Sequence, residues 1–281
     1  MVALCFALIA AAAAAVFAAA SGSVTGAADI WKVLLFFIGA FLAVVVLYLL
    51  YAALIALSID KRKPLEKQSK NMKVLCEMAA SLVCTFLFIR TKVTGSEKLP
   101  EKGQFLLVCN HLSGFDPLVT IKLLRRYNVF FVMKPSIFRF PLVGTATYGA
   151  GCIAIDRENN REALKSILQA ADYLKRGICS ICIYPEGTRS RTGALGDFHP
   201  GSFKIAQKAG VPIVVACIEG TENVRRNVLR RVTDVTLSIL EVIPAETAAG
   251  MRTVDIAEHS RGQILKHQEE SREKRKGQEA G

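Results

Sequence analysis

The stretch QFLLVCNHLSGFDPLVTIKLLRRY (104–127) decides how the rest of the chain is read. It opens on a continuous apolar run, QFLLVC (104–109), which reads as a strand buried on both faces, because a strand with one wet face alternates. It closes on DPLVTIKLLRRY (116–127), which reads as a helix. A buried strand, a short polar loop and a helix together form the repeating unit of an α/β domain. The loop sets an imidazole, His111, directly after the strand and a carboxylate, Asp116, at the start of the helix. Gly114 is available for unusual backbone angles in this bend. A bend of this length can return the carboxylate to the imidazole, fixing one tautomer and stabilising the imidazolium formed on proton uptake. The plainer alternative is a helix cap and a polar turn residue. These residues alone do not decide between the two.

The same texture recurs downstream. VFFVMK (129–134), CIAI (152–155), ICSICIY (178–184) and VPIVVACI (211–218) are again continuous apolar runs, and VTLSILEVI (235–243) adds one more strand. Between them, NREALKSILQAADYLKR (160–176) places Leu164, Ile167, Leu168, Ala171 and Leu174 on one helical stripe. GSFKIAQKAG (201–210) is a further helix closed by Gly210. The expected fold class is α/β, with a mostly parallel sheet flanked by helices. Ahead of the sheet, VLCEMAASLVCTFLFI (74–89) is interrupted by Glu77 and reads as a helix lying on a membrane or packing under the domain.

The amino-terminal part is of another kind. Val33–Leu57 holds 25 residues without a charge. As a helix it would run about 37 Å, enough to cross a hydrocarbon core of roughly 30 Å. Residues 1–20 are also apolar and read as a first span pairing with the second in a helical hairpin, the alternative being a cleaved signal without a positive start. The basic cluster in 60–73 puts the carboxyl-terminal side of the span in the cytoplasm. The chain is therefore expected to carry an amino-terminal transmembrane helix or hairpin. The expected divisions are 1–58 for the membrane-anchoring segments, 59–90 for a basic linker and interfacial helix, 91–257 for the α/β domain, and 258–281 for a charged tail that frays from a helix into disorder.

The net charge is +12, and residues 1–58 contain only Asp29 and Lys32 among charged types. The whole excess therefore lies in 59–281, which suggests an anionic partner: a membrane surface, a phosphorylated substrate or nucleic acid. Nucleic acid is disfavoured, because no aromatic platforms are interleaved with the basic residues. Of the eight cysteines, Cys179 and Cys182 form a C-x-x-C, but inside a strand-like run and with no second ligand pair. They read as small core hydrophobes in a reducing compartment, not as a metal knuckle.

In such sheets ligands gather at the carboxyl ends of the strands. There YPEGTRSRTG (184–193) offers Glu186, Gly187, Thr188 and Arg189, a turn with backbone N–H groups beside a guanidinium, suited to a phosphate or an oxyanion. Asp156 and Arg157 end another strand, and Lys134 a third. A solvated, charge-rich turn would give the same residues no function. The convergence of His111, Lys134, Arg157 and Arg189 on strand ends favours an anion site beside a general base.

N-H-x4-D at 110–116, G-x-I-x-I-D-R at 151–157, Y-P-E-G-T-R-S at 184–190 and V-P-I-V at 211–214 resemble, in order and spacing, the four blocks of the glycerolipid acyltransferase family. The best-known members of that family are the lysophosphatidate acyltransferases, and the resemblance spans about 90–220. It implies that His111 is the catalytic base, Asp116 its partner and Glu186 a supporting carboxylate. Arg157, Gly187 and Arg189, with Lys134 and Thr188 beside them, would bind the substrate phosphate. Asn110 and Pro212 would shape the pocket. Tyr184 stands where phenylalanine is usual, Cys152 and Ala154 soften the second block, and His199 replaces a commoner lysine.

The reaction implied moves a fatty acyl group from an acyl thioester to the sn-2 hydroxyl of lysophosphatidate, giving phosphatidate for phospholipid synthesis. The donor is acyl-CoA or acyl carrier protein, with no further cofactor and no metal. The expected partners are membrane lipids and the two substrates, with acyl carrier protein as a candidate and nucleic acid excluded. The expected location is the inner cell membrane, with the catalytic part on the cytoplasmic side. Glycerol 3-phosphate or another lysophospholipid as acceptor remains open, as does a non-catalytic lipid-binding protein.

Overall fold

The computed structural model of the chain describes residues 2–21, 29–61, 65–156, 158–190, 194–228 and 230–279. They fall into two compact units, Met1–Arg62 and Lys63–Gly281.

The first unit is a helical hairpin of α1 (Val2–Ser21) and α2 (Ile30–Leu57). Phe6 meets Tyr48 edge-on at 5.6 Å and Phe17 stacks on Phe36 at 4.2 Å, so the two helices run antiparallel. Ala10, Ala14 and Ala52 are buried between them, where small side chains let the backbones approach. On its other faces α2 exposes Leu34, Leu42, Leu50 and Leu54. It is long and apolar enough to cross a membrane.

The second unit begins with α3 (Lys70–Phe86), capped by Ser69, whose hydroxyl accepts the Met72 N–H. It packs on the domain, against the helices below called α4 and α5. Its stripe of Met72, Leu75, Cys76, Ala80 and Cys84 is buried, and its buried Glu77 is held by Arg125 at 2.6 Å. Then follow β1 (Ile89–Thr94), β2 (Leu106–Cys109), α4 (Asp116–Leu123), β3 (Val129–Met133), α5 (Pro141–Ala150) and β4 (Ile153–Ala154). The chain continues through α6 (Asn160–Lys175), β5 (Ser180–Ile183), α7 (Lys204–Ala209), β6 (Ile213–Glu219), α8 (Val224–Asn227), β7 (Thr233–Ile243), α9 (Ala245–Gly250) and α10 (Thr253–Glu279).

The strands form one sheet in the order β1-β7-β6-β2-β5-β3-β4. The five from β6 to β4 are mutually parallel; β7 pairs antiparallel with β6, and β1 joins it as a parallel edge. Every residue of β2 and β5 is buried, as their unbroken apolar runs require. The edge strand β1, IRTKVT, has no such run and falls outside the sequence reading; it turns Arg90 outward, as an edge strand should. The tail from 258 also differs from expectation. It continues α10, and Ile256, Ser260, Ile264 and Gln268, spaced by four, are buried in the packing of this helix on β6 and β7. Two isoleucines and two uncharged polar residues on one stripe suffice to dock a helix that is otherwise charged.

Helices α3, α4 and α5 pack as one layer, whereas α6 and α7 pack together and α10 covers β6. From β2 the chain passes through α4 to β3; from its neighbour β5 it passes through α7 to β6, in the opposite direction. The two connections leave adjacent strand ends and pass each other on opposite faces of the sheet, as right-handed crossovers running in opposite directions must. That leaves a crevice at the carboxyl edge between β2 and β5, the switch point at which such sheets bind ligands.

Candidate active site

The loops on both sides of this crevice carry the chemistry. After β2, Asn110 is buried and binds strand β6 twice: its amide Nδ2 donates to the Ile218 carbonyl at 2.9 Å and its Oδ1 accepts the Ile218 N–H at 2.8 Å. A side-chain amide thus extends the β2–β6 ladder by one step. The next residue, His111, leaves the sheet from a fixed point.

The bend then closes on Asp116, which is fully buried in the first turn of α4. Its Oδ2 accepts the N–H groups of Leu112 at 2.8 Å and Ser113 at 2.9 Å, and lies 2.7 Å from His111 Nδ1. Its Oδ1 accepts the hydroxyl of the buried Thr221. A carboxylate oxygen that accepts three N–H donors calls for the hydrogen on Nδ1, which leaves Nε2 with the lone pair. The imidazole plane is fixed as well, because Tyr184 at the end of β5 stacks on it at 4.2 Å and 10°. Burial, ahead of its neighbours Cys182 and Asp116, pushes the Tyr184 phenol well above its ordinary value, so the stacking ring stays neutral.

The loop after β5 grips the backbone of His111. The Glu186 Oε1 accepts the His111 N–H at 2.7 Å, and the Ser190 N–H donates to the His111 carbonyl at 2.9 Å. Between them Gly187 sits at φ +79°, a left-handed angle that a side chain would strain. Thr188 and Arg189 are exposed, and Arg189 reaches over Gly114. Among the described residues no carboxylate pairs with Arg189, and its side chain is exposed.

Several expectations change. Gly114 keeps ordinary angles, for it is not among the glycines with positive φ; the Asp116 carboxylate bonds, and not a left-handed residue, close the bend. Pro212 does not reach this edge. The register pairs Leu106 with Ile213, so Pro212 lies level with Phe105 at the start of β2 while His111 follows its end, about 20 Å along the strand. Asn110 shapes the site through the backbone and does not line a pocket. Lys134 is exposed at the carboxyl end of β3, two strands from β2 and so about 10 Å to the side. Arg157 lies outside the described residues. Sequence reasoning missed Thr221 and the stacking role of Tyr184. Both stand at or just past the carboxyl ends of strands, which is the one signal that pointed to them. Gly220 places Thr221: its φ is +95°, and a Cβ there would meet the Asp234 carbonyl at 2.2 Å.

Burial, ahead of the neighbouring Cys182 and Cys217, raises the Cys109 thiol far above its usual value, and burial likewise raises Cys182. A thiol kept protonated is a poor nucleophile. Among the described residues, Cys217, Glu219 and His267 bring metal-ligand atoms within 4.8 Å of one another, but His267 and Glu219 already meet as an ion pair at 3.6 Å.

A general base held by a carboxylate, with a guanidinium across the crevice, is the equipment of an enzyme that activates a hydroxyl near an anionic group. Residues 90–219 match the family model described as Acyltransferase. The chain is 34% identical over 140 residues to a chloroplastic 1-acyl-sn-glycerol-3-phosphate acyltransferase from Brassica napus, covering 50% of this chain and 40% of the relative. It is 31% identical over 163 residues to the 1-acyl-sn-glycerol-3-phosphate acyltransferase of Salmonella typhimurium, covering 58% and 61%. The chain thus spans about half the length of the curated relatives it matches. Its fold is similar to the crystal structure of the 1-acyl-sn-glycerophosphate (LPA) acyltransferase PlsC from Thermotoga maritima, with a TM-score of 0.61, 24% identity, and coverage of 80% of this chain and 89% of that one.

Proposed function

We propose that this protein transfers a fatty acyl group from an acyl thioester to the sn-2 hydroxyl of lysophosphatidate, giving phosphatidate. The observation that carries the reading is the His111–Asp116 pair, whose geometry leaves Nε2 as the free basic nitrogen. The acceptor hydroxyl gives its proton to Nε2 as its oxygen attacks the thioester carbonyl. The Asp116 carboxylate stabilises the resulting imidazolium through the Nδ1 hydrogen. Collapse of the tetrahedral intermediate forms the ester and breaks the C–S bond, and the imidazolium returns its proton to the leaving thiolate. Arg189, with Gly187 and Thr188 in its loop, holds the acceptor phosphate, and Lys134 and Arg157 are further candidates for the same anion by their motifs. Glu186 fixes the base through the backbone and takes no proton. No acyl-enzyme and no metal enter this scheme.

The apolar α2 would anchor the chain in the bilayer that holds acceptor and product. The basic cluster after it favours a cytoplasmic catalytic unit. The test is an acyl-transfer assay on membranes carrying the protein, with acyl-CoA or acyl carrier protein as donor and lysophosphatidate, glycerol 3-phosphate or another lysophospholipid as acceptor. Transfer to lysophosphatidate is expected, and His111→Ala should lower kcat by about 10²–10⁴-fold while acceptor binding stays within about twofold. Turnover retained in that variant would remove His111 from the mechanism.

A further inference from the structure

The carboxyl-terminal helix reaches the catalytic histidine through a chain of polar contacts. Arg261, on α10, donates from Nε to the Gly196 carbonyl at 2.9 Å and from Nη2 to the Leu195 carbonyl at 3.1 Å. The Gly196 N–H in turn donates to Glu186 Oε2 at 3.0 Å, and the other oxygen of that carboxylate accepts the His111 N–H. A Cβ at Gly196 would stand 3.4 Å from Glu186 Oε2, so the loop lies against the carboxylate with little room to spare. Glu186 has one fixed partner per oxygen. If the loop at 195–196 moves, one anchor is lost and the carboxylate can rotate away from His111.

We infer that Arg261 is a positioning residue for His111, acting through the Leu195–Gly196 segment and Glu186. The inference rests on the acyl-transfer reading for its kinetic consequence, but not for its geometry. The guanidinium spans two successive carbonyls as a fork, which a lysine ammonium reproduces only in part. Arg261 also lies 3.7 Å from Asp197, whose side chain is fully exposed. That ion pair is screened by solvent and is not the working contact.

The full chain in detergent or nanodiscs is assayed as wild type, Arg261→Ala, Arg261→Lys and Asp197→Asn. Displacing a catalytic group by a fraction of an ångström to an ångström costs up to about 100-fold in rate, so Arg261→Ala should lower kcat by roughly 10- to 100-fold. KM for the acceptor should stay within about twofold, because Arg189 is untouched. Arg261→Lys should fall in between, Asp197→Asn should match wild type, and millimolar ethylguanidinium should restore part of the activity of Arg261→Ala. In parallel, nitrogen-15 NMR of histidine-labelled protein should show the His111 ring signals shifted in Arg261→Ala alone. A wild-type kcat and unmoved ring signals in Arg261→Ala would overturn the inference. So would a kcat loss that follows the unfolded fraction measured by thermal melting. A wild type without transfer activity, but with the ring shift in Arg261→Ala, would defeat the acyl-transfer reading and leave the positioning role standing.

Discussion

The loop after β2 and the loop after β5 face each other across one crevice, yet they are built on different principles. In the first, the polar groups turn inward: Asp116 takes two backbone N–H groups, an imidazole and a hydroxyl, and Asn110 ties itself to strand β6. In the second, Glu186 and Ser190 turn back to hold His111, while Thr188 and Arg189 point out. On the proposed acyl-transfer reading, the base is thereby held ready before any substrate arrives, and the anion-binding group is left for the substrate to order. A general base needs orientation to work, whereas a guanidinium that finds its own phosphate needs only to be nearby.

That contrast can be broken from either side. Of the three substitutions that test it, Arg189→Ala should have the largest effect. Losing a charge-assisted fork to phosphate is worth about 1.5–3 kcal/mol, so acceptor KM should rise by roughly 10- to 100-fold, with kcat changed less than about threefold. The melting temperature should not move, because the side chain is exposed. A fall in kcat with KM unchanged would mean that Arg189 orders the base and that the two loops do not divide the labour. Next comes Thr221→Val, which strips one donor from the buried Asp116 and should cost about 1–3 kcal/mol in urea unfolding, with a severalfold loss of kcat. Stability equal to wild type would show that Asp116 is held by its loop alone. The smallest effect is reserved for Gly114→Ala. Its added methyl would stand 3.7 Å from Arg189 Nη1, an ordinary contact, at ordinary backbone angles. The change in stability should stay below about 0.5 kcal/mol, with activity near wild type. A large loss there would restore the glycine-dependent bend that the geometry removes.

How much of this was legible in the sequence depends on the range of the interaction. The central strands were legible because burial on both faces writes itself as an unbroken apolar run. The spacing from His111 to Asp116 was legible because it is a local bend. β1 was not, because an edge strand with Arg90 and Lys92 has no apolar signature of its own. The antiparallel direction of β7 was not, since pairing sense leaves no mark on a single strand. The docking of α10 rests on Ile256, Ser260, Ile264 and Gln268, only two of which are apolar. Pro212 was misplaced for a related reason: a motif tells which strand a residue belongs to, but not which end of the sheet faces the ligand. Thr221 lies 105 residues from the carboxylate it serves, and no spacing rule reaches that far.

The position of β1 has a consequence for how the protein is made. Among the described residues its one neighbour in the sheet is β7, so Ile89 must wait for Thr233, 144 residues later in the chain. At ribosomal speeds of about 5–20 residues per second, the first strand of the domain stands alone for roughly 7–30 s after it emerges. A greasy strand left bare that long would invite other nascent chains to pair with it. Arg90 and Lys92 make it a poor template for strangers until its own partner is synthesised.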